Sequence, residues 1–203
     1  IKPYFYETAV LELDARGMEI KQVALITKNS KTDLQYDYAN NILHINLDKI
    51  YTRTEQYTIF IDYIAKPNEL KKGGSFAITD DKGLYFINPE GKEKNKPQQI
   101  WTQGETQSNS VWFPTNDHPN ERMTQEIYIT TEKKYVTLSN GELVSSTDNG
   151  NDTRTDYWRM DLPHAPYLAM MTIGDFAIVK DKWRGKEVNY YVEKEYEPYA
   201  RAI

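Results

Sequence analysis

The sequence predicts an all-β fold of about twelve strands, arranged as twisted, mostly antiparallel β-sheets packed like a β-sandwich. Three observations carry this. Apolar residues recur at every second position through most of the chain, no stretch sustains the period of an amphipathic helix, and turn-forming pairs such as Asn40-Asn41 and Asn140-Gly141 punctuate the alternating runs. With 203 residues and no internal repeat, the chain is long enough to bury a core without covalent staples, and residues 1–203 fit one large all-β domain or two small ones.

The first run, YFYETAVLEL, puts Phe5, Ala9, Leu11 and Leu13 on one face; a turn at Ala15-Arg16-Gly17 leads to the strand IKQVALIT. LQYDY and ILHINL flank Asn40-Asn41, a hairpin signal because Asn tolerates positive φ. QYTIFIDYIA has the strongest strand pattern. Tyr57, Ile59, Ile61 and Tyr63 alternate with Thr58, Phe60, Asp62 and Ile64, so both faces are apolar enough for a central strand. A polar loop from Lys66 to Gly74 precedes SFAIT and LYFI, which bracket a hairpin turn at Asp81-Lys82-Gly83. Asn88 to Gln98 is charged and carries Pro and Gly, the composition of a long exposed loop. TQEIYIT, YVTLS, ELVSS, DYWRMDL, YLAMMTIGDFAIV and VNYYVE complete the strands, with a hairpin turn at Asn140-Gly141 and a polar loop tip at Asp148 to Asp152. EKEYEPYARAI begins a helix after Pro198.

The composition excludes several functions. There is no Cys, which removes disulfides, thiolate catalysis and Cys-ligated metals together. The net charge of −5 is dispersed, and the basic clusters Lys71-Lys72 and Lys92 to Lys96 read as solvated loops, so no nucleic-acid partner is expected. No apolar run approaches the ~20 residues of a membrane helix. The chain starts at Ile1, almost in mid-strand, without initiator Met or signal peptide, and reads as a piece of a longer polypeptide whose compartment is open. His44, His118 and His164 are isolated, with no H-E-x-x-H, and neither G-x-S-x-G nor a phosphate loop is present. Its 30 acidic residues leave paired carboxylates for glycoside hydrolysis open but single out no pair, and on its residues alone the chain reads as non-catalytic. Its 16 Tyr serve half-buried strand packing or, alternatively, a platform of exposed aromatics on a non-enzymatic β-sandwich that binds carbohydrate or protein.

One stretch breaks the alternation. IWTQGETQSNSVWFPTNDHPNERMTQEIYI, Ile100 to Ile129, mixes Gln, Glu, Asn and Asp with two Trp and two Pro and has no period. Polar residues held among aromatics need partners or a task. TQGETQSNSVWFPTNDHPNERMTQEIYIT resembles the signature of the N-terminal domain of the aminopeptidase N family of zinc metallopeptidases, the gluzincins. The matching residues are Gln103-Gly104-Glu105, Pro114 and Asp117-His118-Pro119. DDKGLYFI upstream, and YVTLSNGELVSS and LPHAPYLAMMTIGDFAIV downstream, resemble further family segments in the expected order, so the likeness runs from residue 5 to residue 195. Thr115, His118 and Met123 depart from the residues most common in the family.

The resemblance implies a saddle-like arrangement of sheets that packs on the thermolysin-like catalytic domain of the same polypeptide. It implies that the zinc site, the substrate loop and the catalytic Tyr belong to that domain, which is absent from this chain. No catalytic residue, metal ligand or cofactor is therefore expected here. Glu105 is implied to bind the free α-amine at the N-terminus of a peptide substrate, and Gln103 to line the same pocket. The Glu105–Thr106 peptide is implied to be cis. Trp101, Trp112 and Phe113 are expected in the core, and Asp117 as an acceptor that caps a turn.

Overall fold

The computed structural model describes residues 1–70 and 82–201. The expected strand SFAIT, Asp81 of the turn at Asp81-Lys82-Gly83 and the Lys71-Lys72 cluster lie outside the described residues. The chain divides into two compact units. The first comprises Ile1–Leu84, Gln103–Met123 and His164–Leu168; the second comprises Tyr85–Thr102, Thr124–Pro163 and Ala169–Ile203.

The first unit contains β1 (Thr8–Asp14), β2 (Met18–Ile26), β3 (Lys31–Asp33), β4 (Tyr36–Ala39), β5 (Ile42–Tyr51) and β6 (Thr58–Ala65). They form two antiparallel sheets, in the orders β1-β5-β4 and β3-β2-β6. Alternation places Leu43 and Ile45 of β5 and Val23 and Leu25 of β2 in one cluster, with Leu11 and Leu13 of β1 and Ile59, Ile61 and Tyr63 of β6 packed against it. Leu43 and Ile45 have no exposed surface. Burial of such a side chain stabilises by about 1.5–3 kcal/mol. Asn40 and Asn41 turn the β4–β5 hairpin with φ of 54° and 65°, the left-handed pair that a two-residue turn needs.

Two expectations are corrected here. β1 begins at Thr8, and Phe5 is 73% exposed, because a register shift between Thr8 and Val10 ends the alternation that seemed to include it. β6 is the outer strand of its sheet among the described residues, and β2 is central. The second apolar face of β6 is turned to solvent: Phe60, 37% exposed, lies under the Lys31 ammonium, 3.4 Å from the ring centroid.

The second unit is built from β7 (Leu84–Ile87), β8 (Gln99–Thr102), β9 (Met123–Glu132), β10 (Val136–Ser139), β11 (Glu142–Asp148), β12 (Thr153–His164), β13 (Met171–Gly174), β14 (Phe176–Trp183) and β15 (Lys186–Glu193), with one short helix at Glu197–Ala200. The sheet orders are β10-β13-β8-β7, β11-β12-β9 and β14-β15. The fifteen strands among the described residues exceed the expected number because Lys31–Asp33 is too short to show a period, because Gln99–Thr102 opens the stretch that has none, and because YLAMMTIGDFAIV breaks at Asp175. The loop after β7 is ordered by buried Asn88, whose amide donates to Glu93 O and Lys96 O and accepts from Glu93 N–H.

Asn140-Gly141 is a corner and not a hairpin, since β10 pairs with β13 whereas β11 pairs with β12. Asn140 Oδ1 accepts the Met170 N–H at 2.7 Å, so the turn hands the chain from one sheet to the other. Only glycine fits after it: φ is +85°, and an added Cβ would meet Arg159 O at 1.9 Å. On β9 and β12, Tyr128 and Tyr157 stack with centroids 4.4 Å apart and planes 2° apart. Each ring thereby covers the other's face.

This unit buries a charge. Asp156 is 2% exposed and accepts from Thr137 Oγ1 at 2.7 Å, Ser146 Oγ at 2.6 Å and Arg154 Nε at 3.0 Å and 3.1 Å. Arg154 also donates to Lys133 O and Tyr135 O. Burial pushes the Asp156 pKa up, but the hydrogen bonds from Arg154, Ser146 and Thr137 outweigh it and hold the carboxyl below its usual range.

Candidate functional site

The segment from Gln103 to Asp117 forms a platform within the first unit. The β1–β2 connection holds it in place. Asp14 and Thr115 exchange backbone hydrogen bonds of 2.8 Å and 3.0 Å, and Arg16 N–H donates to Ser110 O at 2.8 Å. The Arg16 guanidinium donates to Gln107 O at 3.3 Å, and Asp117 N–H donates to Asp14 Oδ2 at 3.0 Å. A single 3₁₀ turn at Asn109–Val111 follows the loop, with all three residues buried. Asp117, 3% exposed, accepts the Ser110 N–H at 2.9 Å, the capping contact expected of it. Its Oδ1 has no hydrogen-bond partner among the described residues. Burial pushes the Asp117 pKa up, the Ser110 N–H opposes this, and nearby Asp14 adds to it.

Gly104 is buried while Gln103, Glu105, Thr106 and Gln107 are exposed. An added Cβ at Gly104 would stand 2.3 Å from Tyr167 O and 2.5 Å from Asn109 Nδ2. The backbone before Glu105 therefore lies flat on buried polar groups, and the Glu105 side chain leaves it toward solvent. Glu105, Thr106, Gln107, Pro119 and Tyr167 line an open cavity of about 370 Å³. The Glu105–Thr106 peptide is cis, as expected. Gln107 Nε2 lies 3.1 Å from His118 Nδ1 across the loop. Gln103 N–H donates to Gly83 O at 2.9 Å, and Gln103 is not among the residues lining the Glu105 cavity.

Trp112 is half-buried, packs edge to face on Phe113 at 4.5 Å and accepts the Tyr63 hydroxyl at its carbonyl, 2.8 Å away. Burial pushes the Tyr63 phenol up to about 12. Trp101 differs from expectation: it lies 37% exposed in the second unit, stacked on Tyr85 at 4.3 Å, because β8 turns that position outward. Asn109 and Tyr167 were not legible as site residues; a loop Asn and a Tyr beside a strand give no periodic signal.

The segment 4–168 matches the family described as the peptidase M1 N-terminal domain. The chain belongs to that family.

Solved M1 peptidases share the fold of this M1 domain. A two-domain M1 zinc metallopeptidase bound to L-arginine matches with a TM-score of 0.73 at 14% identity, covering 92% of this chain and 40% of that one. The M1 zinc metallopeptidase from Deinococcus radiodurans matches at 0.67 and 12% identity, with the same coverage of 92% and 40%. Among curated proteins, transcription initiation factor TFIID subunit 2 of Gallus gallus is 28% identical over 118 residues, 56% of this chain and 10% of that protein. The Danio rerio subunit is 27% identical over 134 residues, 59% and 11%. The M1 domain thus spans a small part of these curated relatives and well under half of the solved peptidases.

Zinc does not fit the described residues of this M1 domain. Among the described residues no group of three or more His, Asp or Glu is placed to hold a metal ion. The histidines are otherwise engaged: His44 pairs with Glu12 at 3.0 Å, His118 faces Gln107, and buried His164 directs Nδ1 at Ala165 O, 3.0 Å away.

Proposed function

We propose that this M1 domain recognises the free α-amine of a peptide substrate for a zinc aminopeptidase, with Glu105 as the anchoring carboxylate and the hydrolytic chemistry belonging to a catalytic domain of the same polypeptide. The observation that supports it is the Glu105 carboxylate at the wall of an open cavity, on a loop whose preceding residue is pinned by buried groups. A protonated amine is a compact cation, and a carboxylate at a fixed position acts as a ruler for it. At an effective dielectric near 20, a pair about 4 Å apart interacts by roughly 4 kcal/mol before desolvation. A third of that is worth about tenfold in affinity. Gln103 is the second residue assigned to substrate binding, as a donor and acceptor for substrate backbone; it stands outside the Glu105 cavity, so its part in the site is to meet the substrate chain and not the amine.

The test is kcat/KM of the full-length protein on an aminoacyl substrate, wild type against Glu105→Gln and Glu105→Ala. A loss of about tenfold or more, larger for Ala, supports the reading. Unchanged kinetics with unchanged folding sink it, as does a full-length protein without aminopeptidase activity. That last outcome favours a second reading, a non-catalytic assembly module, which the likeness to TFIID subunit 2 supports. A carbohydrate platform is not favoured: it needs exposed rings lying side by side, and Tyr128 and Tyr157 stack face to face.

A further inference from the structure

One side chain lies beneath the Glu105 loop and ties it to a second segment. Asn109 has no exposed surface. Its Nδ2 donates to Pro166 O at 2.6 Å, and its Oδ1 accepts the Trp112 indole N–H at 2.8 Å. Its carbonyl accepts the Trp112 and Phe113 backbone N–H groups at 3.0 Å and 3.2 Å. Gly104 rests directly on it, since an added Cβ would meet Asn109 Nδ2 at 2.5 Å, Asn109 Cγ at 2.6 Å and Tyr167 O at 2.3 Å. The segment that accepts the Asn109 hydrogen bond at Pro166 continues into Tyr167, which walls the cavity beside Glu105.

We propose that Asn109 is a positioning residue: it clamps the backbone at Gly104 against the Pro166-Tyr167 segment and so fixes the height and direction of the Glu105 carboxylate. This rests on the amine-binding reading of Glu105. The planar amide suits the task because it offers a donor and an acceptor in fixed, opposed directions. Aspartate keeps the acceptor for Trp112 but turns an oxygen toward the Pro166 carbonyl. Glutamine adds a methylene where Gly104 leaves no room. Alanine leaves a void into which the loop sinks. A displacement of 1 Å at a recognition group can cost about a hundredfold in rate.

The test compares kcat/KM of the full-length protein on an aminoacyl p-nitroanilide and on its desamino counterpart; their ratio measures amine discrimination. Asn109→Asp is expected to lower this ratio about tenfold or more, mainly through KM for the amine-bearing substrate. The kcat on the desamino substrate should hold, and Glu105→Ala combined with Asn109→Asp should lose no more than Glu105→Ala alone. Equal losses on both substrates, or a wild-type ratio in Asn109→Asp while Glu105→Ala loses it, overturn the inference and leave the reading of Glu105 intact. A wild-type ratio in Glu105→Ala overturns that reading and the inference with it. If Asn109→Asp yields no folded protein, Trp112→Phe, which removes the indole donor with part of the ring and keeps an aromatic side chain on Phe113, decides. A fall in the ratio of about threefold supports the clamp, the equivalent of one modest hydrogen bond, and an unchanged ratio overturns it.

Discussion

Replacing Asp156 with alanine should cost the second unit about 3 kcal/mol. Breaking a buried ion pair by removing one member costs about 3–5 kcal/mol, because the other charge is left uncompensated. The Asp156 side chain is 3% exposed and the Arg154 side chain 20%. Arg154 keeps two backbone carbonyl acceptors after the substitution, at 2.8 Å and 2.6 Å, which sets the expectation at the low end. Thr137 Oγ1 still accepts the Trp158 indole N–H at 3.0 Å, but its proton and that of Ser146 lose their acceptor. For a chain of 203 residues, about 3 kcal/mol corresponds to a fall in Tm of about 6–12 °C. The assay is urea and thermal denaturation of the chain followed by circular dichroism. Acid separates charge from packing. The folded Asp156 carboxyl titrates below its usual range. Its stabilisation is therefore complete above the unfolded pKa, near ~3.9, and is lost as pH falls through the folded value. The gap between wild type and Asp156→Asn should shrink as the solution is acidified through that window. A loss below about 1 kcal/mol in Asp156→Ala, the scale of an exposed pair, would refute the view that this network is structural.

Further outcomes follow from other parts of the molecule. Gly104→Ala must push aside the Tyr167 carbonyl and the Asn109 amide; overpacking of this kind costs about 1–3 kcal/mol, and a urea midpoint equal to wild type would show that the loop yields freely. Asp117→Asn should gain on wild type as pH rises from acid to neutral. The raised Asp117 pKa means that its stabilisation is complete below the unfolded value and lost as pH rises through the folded one. A wild-type advantage that grows toward neutral pH would contradict this. The half-buried Glu55 carboxyl is held at about 2 by hydrogen bonds from Lys49 and then Thr52, so its carbonyl NMR shift should stay constant to near that pH and move earlier in Lys49→Ala. The chain alone is expected to release no amino acid from an aminoacyl dye, with or without added zinc; metal-dependent release would overturn the assignment of chemistry to another domain.

Much of the fold was legible because several strands turn one face inward and the other to solvent. β9 alternates inward and outward along its length, and β5 does so at Leu43 and Ile45. What escaped has identifiable causes. β3 has only three residues, and β8 opens the stretch of mixed polar and aromatic residues that has no period. The face that β6 leaves exposed resembled a buried one because Phe60 and Ile64 are apolar. Asn140-Gly141 has the residues of a hairpin turn, and only the partners of β10 and β11 reveal a corner. Asp156 sits at an inward strand position, where a lone acidic letter reads as a solvent-facing one; its partners come from three separate strands or loops. In the site, Glu105 was legible through the motif around it, which also carried the cis peptide. The support beneath it was not: Asn109 and Pro166 are 57 residues apart in sequence and meet only in the fold, through the Asn109 amide.

Trp112 also gives the site an optical signal of its own. The chain has four tryptophans, and Trp101, Trp158 and Trp183 belong to the second unit, leaving Trp112 alone in the first. Its indole N–H is bonded to the side chain on which Gly104 rests. Emission from an indole responds to whether that N–H is bound to a fixed amide or to water. With the other three replaced by phenylalanine, the intrinsic fluorescence of the chain becomes a readout of the Glu105 loop. Occupancy of the cavity can then be followed by titration in solution, without an enzymatic turnover.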